Sequence, residues 1–131
     1  MFKKNSPLKY KSLWLALGYV LVAFVVYSSL TSSPIKMDIN YFDKYAHAFG
    51  YFVLMGWFMQ IYHSNKAVLI CAVTLVVLGV GLEFVQGMTG YRYFDLNDML
   101  ANTSGVLLAW ILVKTPFPNI LYYVESKVLA K

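Results

Sequence analysis

Cysteine occurs once, at Cys71, in a chain of 131 residues. A single thiol excludes an intramolecular disulfide and a CxxC metal site. Within an apolar run it reads as a small packed or lipid-facing residue. Charge is scarce as well. Only 13% of residues are Asp, Glu, Lys or Arg, about half the share in soluble domains, and six are acidic. With 60% of the chain hydrophobic, a disordered chain and a soluble globular enzyme are both poor readings. Walker, GxGxxG, EF-hand, HExxH and GxSxG patterns are absent, which leaves no nucleotide, calcium, zincin or nucleophile-elbow signature. The net charge of +5 comes from eleven basic residues that form no stripe and no recognition motif, so nucleic acid is not a partner. There is no internal repeat.

What the sequence does have is apolar blocks, and none of them contains proline. The first runs from Leu13 to Leu30, eighteen residues that cover ~27 Å as a helix, close to the ~30 Å of a bilayer core. A second runs from about Tyr45 to Tyr62, a third from Ala67 to Val85, and a shorter fourth from Met99 to Val113. Turn-forming stretches separate them: Thr31 to Pro34, His63 to Lys66, and Gly87 to Asn97. Four transmembrane helices are expected, because open sheet edges cannot face lipid and barrel periodicity is missing. The first block, preceded by Lys3, Lys4, Lys9 and Lys11, has signal-peptide character, but its length favours a retained anchor.

Basic residues set the orientation. With the N-terminus inside, Lys3, Lys4, Lys9, Lys11, Lys66, Lys114, Lys127 and Lys131 are cytoplasmic, and only Lys36, Lys44 and Arg92 fall outside. Both termini are therefore expected in the cytoplasm. Residues 1–12 form the basic N-terminus, 13–30 the first span, 43–113 a core of three spans, and 114–131 a cytoplasmic tail. In that tail Phe117, Ile120, Leu121, Val124 and Val128 recur at helical spacing while Glu125, Lys127 and Lys131 are polar. This predicts a short helix on the inner surface.

Four of the six acidic residues, Asp43, Glu83, Asp95 and Asp98, fall near helix ends on the outer side, together with His47, Gln86, Arg92 and Asn102. Ionisable groups are expensive in a bilayer and face a bundle interior and a partner. Asp43 and His47 share a face at i, i+4, with Asp43 expected as a helix N-cap. Glu83 and Gln86 are i, i+3, and Asp98 and Asn102 are i, i+4, with Asp95 as a cap. Gly105 continues that face and admits a neighbouring helix. Glu83 is the hardest to explain as structure, because a carboxylate near a helix C-terminus is disfavoured. It needs Arg92, a hydrogen-bond donor or a shared proton, and Arg92 is the cation expected to close over the cluster. Plainer readings stand beside these: Asp95 and Asp98 as caps, Asn102 as an interhelical link, His47 as a packing histidine, His63 as a solvated loop residue. One histidine with carboxylates can hold a divalent ion, yet without a second nearby histidine the sequence gives no metal centre and implies no cofactor.

Asp43-Lys44-Tyr45-Ala46-His47, Glu83-Phe84-Val85-Gln86 and the run from Arg92 through Asp95, Asp98 and Asn102 to Gly105 resemble the VanZ-like membrane protein family. In its terms these are the DKxxH, ExxQ and RxxDxxDxxxNxxG elements, here in family order. The resemblance implies a small multispanning protein of the bacterial cytoplasmic membrane and, more remotely, an effect on susceptibility to the glycopeptide teicoplanin. Three functions follow as expectations. The first is a non-catalytic envelope protein whose outward polar pocket binds a polar or anionic ligand: a lipid headgroup, a lipid-linked wall precursor or a glycopeptide. Arg92 and Lys44 would meet the anion, and Asp43, Gln86, Asp95, Asp98 and Asn102 would line the pocket. The second is a membrane-embedded hydrolase or transferase, with His47 as base and Glu83 as acid or orienter. The third is a purely structural polar network.

Overall fold

A computed structural model describes residues 8–31, 42–91 and 93–129. Lys3, Lys4, Lys36, Arg92 and Lys131, used above for orientation or for the cluster, lie outside the described residues. Those described are all-helical, with no strand. The order is α1 (Lys11–Leu30), α2 (Phe42–Ile61), α3 (Asn65–Met88) and α4 (Leu96–Ile111). Two single 3-10 turns follow, then α5 (Ile120–Val124), which runs on into a π turn, Glu125–Leu129.

Capping sets the helix starts that hydropathy alone misses. The Ser64 side chain accepts from the Ala67 N–H and opens α3 two residues before the apolar block begins. The Asp95 side chain accepts from the Asn97 N–H and opens α4, three residues before Met99. Between α3 and α4 the chain turns through Gly90, at a φ of 83° that favours glycine.

Among the described residues three helices, not the expected four, are long and apolar enough to cross a membrane: α1, α3, and α4 with its 3-10 extension to Lys114. The second helix falls short because Asp43, Lys44, His47 and Gln60 dilute it. Its position explains how it carries them. It is packed against α1, α3 and α4, and Tyr51, Leu54, Met55 and Met59 are almost wholly buried. Val68, Ala72 and Leu75 of α3 and Val106 and Ala109 of α4 complete the core. Contact with α4 is close at Gly105, where a Cβ would collide with the Ala48 carbonyl oxygen. Only a residue without a side chain lets the two backbones meet so closely.

Polarity is distributed the opposite way from a soluble bundle. Tyr19, Val20, Phe24 and Tyr27 of α1, Val73 and Val77 of α3 and Leu107, Leu108 and Ile111 of α4 are exposed, while Glu83, Gln86, Asp98 and Asn102 are buried. Apolar outside and polar inside is what a hydrocarbon solvent demands.

The expected C-terminal helix is present, and it is docked against α2. Gln60 of α2 grips it with both ends of its amide: Nε2 donates to the Phe117 carbonyl, and Oε1 accepts from the Leu121 N–H. The Phe117 ring lies over Gly56. Glu125, expected on the solvated side, is buried and reaches the start of α1. It accepts from the Lys9 and Tyr10 N–H groups at 2.6 and 2.8 Å and from the Trp14 indole at 2.6 Å. Burial pushes its pKa up, but the three donated hydrogens outweigh burial and hold the carboxyl below the ordinary glutamate range. His63 is also half-buried rather than solvated, with Nε2 3.1 Å from the Pro118 carbonyl.

Candidate functional site

The N-terminal ends of α2 and α4 and the C-terminal end of α3 meet at one end of the bundle. Asp43 sits inside the first turn of α2, as its second residue, and is not the N-cap expected from the sequence. The next residue is the centre of the cluster. The Lys44 ammonium lies 2.7 Å from Asp43, 2.7 Å from Asp95 and 2.6 Å from Asp98. It ties the first turn of α2 to the cap and first turn of α4. Among the described residues, Lys44 is therefore the cation that closes the cluster. Its hydrogen bond holds the Asp95 carboxyl below the ordinary aspartate range, with the Asn97 N–H assisting.

One turn deeper, His47 Nδ1 lies 2.8 Å from Asn102 Oδ1, so Asn102 is the interhelical link its spacing suggested. On its other side, His47 Nε2 faces Asp98 Oδ2 at 3.6 Å. Glu83, 1% exposed, accepts from the Asp95 N–H at 2.6 Å. That donor answers the question of how a carboxylate survives at a helix C-terminus. It also makes α3 a brace for the start of α4.

Gln86 stands apart from this group. Its Nε2 donates to the Ser29 carbonyl at 2.6 Å and ties α3 to the last turn of α1. Asp43, Lys44, His47, Glu83, Asp95, Asp98 and Asn102 are thus brought together, Gln86 is turned to another helix, and Arg92 lies outside the described residues.

Tyr51 is the residue the sequence reading missed. It is 1% exposed, and its hydroxyl has no hydrogen-bond partner among the described residues. Its spacing was the available signal, since it continues the Asp43–His47 face by one more turn. Its ring edge lies against Gly79, beside the Asn102 side chain. Helix side chains lean toward the N-terminus, which in α2 is the cluster end.

A family model described as VanZ/LLP1 matches residues 2–121. The chain belongs to the VanZ/LLP1 family. A curated relative, from Schizosaccharomyces pombe and described as an uncharacterized protein, is 33% identical over 114 residues. The match covers 82% of this chain, and the chain spans 64% of that relative's length. No solved structure matches. Family membership and three helices fit to cross a bilayer make this VanZ/LLP1 chain a membrane protein. The cluster is built from the three elements that carry the VanZ resemblance, with Tyr51 added from between them.

Proposed function

We infer that the chain binds the polar headgroup of a membrane lipid or lipid-linked molecule at the Lys44 end of the bundle. The observation that carries this reading is the Lys44 ammonium held among Asp43, Asp95 and Asp98 at helix ends, the depth at which headgroups meet hydrocarbon. A phosphate drawn to Lys44 gains a charge-assisted hydrogen bond, and the neighbouring carboxylates accept from headgroup hydroxyls or amines. The bias of basic residues supports an outward-facing site with both termini in the cytoplasm. Effects on glycopeptide susceptibility would follow only if the lipid-linked ligand were a wall precursor.

Binding is favoured over hydrolysis by the partners of the two candidate catalytic groups. Glu83 is committed to the Asp95 amide, and no hydrogen bond joins it to His47 among the described residues. The test is native mass spectrometry of the detergent-purified chain with defined phospholipids. Retention of a lipid by wild type and loss at least tenfold in Lys44→Met support the reading. Equal retention by both would sink it. Turnover of a phosphodiester by wild type, lost in His47→Gln, would replace it with the hydrolase.

A further inference from the structure

The two ring nitrogens of His47 have different neighbours. An amide oxygen only accepts, so the 2.8 Å contact with Asn102 Oδ1 places the hydrogen on Nδ1. In the neutral ring Nε2 then presents a lone pair. That lone pair faces Asp98 Oδ2 at 3.6 Å, too long for a hydrogen bond. Two electron-pair donors thus look at each other across a gap. Asp43 supplies a third, because one ligand atom from each of Asp43, His47 and Asp98 lies within 4.8 Å of the others. Lys44 does not bridge this gap. It takes Asp98 Oδ1 and Asp43 Oδ2, and Asp98 Oδ2 is the oxygen that faces His47. Ligand atoms each ~2.1 Å from a metal ion lie at most ~4.2 Å apart, so the spacing between His47 and Asp98 fits a shared ion.

Two further observations point the same way. Among the described residues, three carboxylates share one ammonium at this end, so the site attracts a cation. Independently, the buried Tyr51 hydroxyl has no hydrogen-bond partner among the described residues, and side chains of α2 lean toward the cluster end. A water in the shell of an ion, or an oxygen of a group bound to it, would supply one.

We propose that Asp43, His47 and Asp98 form a divalent-metal site, with Asn102 as the residue that orients His47. One imidazole with two carboxylates suits a first-row ion such as Mn²⁺ or Zn²⁺. The hydrogen bond from Nδ1 to Asn102 is the outer contact that metal-binding histidines make. The proposal deepens the headgroup reading, since a phosphate would then meet an ion as well as Lys44, and it is separable from that reading by experiment.

Mn²⁺ is the probe. The full chain, purified in detergent and stripped with EDTA, is titrated with Mn²⁺ by electron paramagnetic resonance. Stoichiometric binding is expected, with nitrogen modulation from a histidine in the pulsed spectrum of wild type. His47→Gln should remove the modulation and weaken binding at least tenfold, as should Asp98→Asn, and Asn102→Ala should weaken it by about tenfold. Absence of stoichiometric binding overturns the proposal, as does bound Mn²⁺ without nitrogen modulation in wild type, a result that needs no variant to fold. Modulation that persists in His47→Gln also overturns it. Lipid retention measured in EDTA reads the headgroup function alone, so either reading can fail while the other stands.

Discussion

Glu125 Oε2 accepts from the indole of Trp14 at 2.6 Å, while the same carboxylate takes the Lys9 and Tyr10 amides. A side chain of the C-terminal tail therefore closes the N-terminus of α1, where no capping side chain from α1 itself does so. The negative charge also meets the positive end of the helix dipole. Glu125→Gln should lower stability by about 1–3 kcal/mol, as loss of hydrogen bonds to a charged group does. Thermal melting in detergent checks this.

The same carboxyl predicts a pH dependence of definite sign. Its folded-state value lies below the ordinary one, so ionised Glu125 stabilises the fold above the ordinary glutamate value. That contribution is lost as pH falls through the lowered value. Melting temperature should therefore drop on acidification below about pH 4.3, and the drop should be shallower in Glu125→Gln. Parallel acid profiles for the two proteins would refute the assignment.

Gly105→Ala should be among the most damaging single-methyl changes in the chain. The new Cβ would collide with the Ala48 carbonyl oxygen, and a backbone atom cannot rotate away. Separating α2 from α4 should cost about 1–3 kcal/mol or more. Gly81→Ala, with nothing within 4 Å of its added methyl, should be neutral or stabilising by up to about 1 kcal/mol. Melting curves of the two alanine variants make the comparison.

Lys44→Met removes the one cation shared by Asp95 and the buried Asp98. Lys44 is a quarter exposed, so the loss should be about 1–3 kcal/mol, below the cost of stranding a fully buried charge. Adding Asp98→Asn should return part of it. A double-mutant cycle on melting free energies measures the coupling, and strict additivity would show that the pair is not joined.

Gln86→Leu separates structure from binding. The amide holds the Ser29 carbonyl, so its loss should expose the last turn of α1 to faster amide hydrogen exchange. Lipid retention at the Lys44 site should be unchanged. A variant that exchanges like wild type but loses lipid would place Gln86 in the site after all.

The helices were legible in the sequence because proline-free apolar runs of bilayer length have few other uses. The cluster was legible because i, i+4 pairs of costly residues fell at matching ends. Asp95 as cap of α4 and Asn102 as interhelical link followed from spacing alone. What stayed hidden depends on distant parts of the chain. Lys44 looked like a second cation because nothing local brings α4 to it. Tyr51 looked apolar because an aromatic in an apolar run carries no sign that its hydroxyl is buried alone. Glu125 and His63 looked solvated because their partners come from elements far away in sequence. The second helix looked like a fourth span because a hydropathy run does not reveal that a helix is enclosed by its neighbours.

The reach from Trp14 to Glu125 spans 111 positions, and it has a consequence for the order in which the protein is made. The first helix leaves the ribosome before the tail, yet its opening amides wait for a carboxylate synthesised long after them. Until then α1 is threaded but unfinished, held to the bundle by the Trp57 indole on the Trp14 carbonyl and by Gln86 at its far end. Loss of the segment that carries Glu125 would therefore surface as a fault in α1, far in sequence from the lesion.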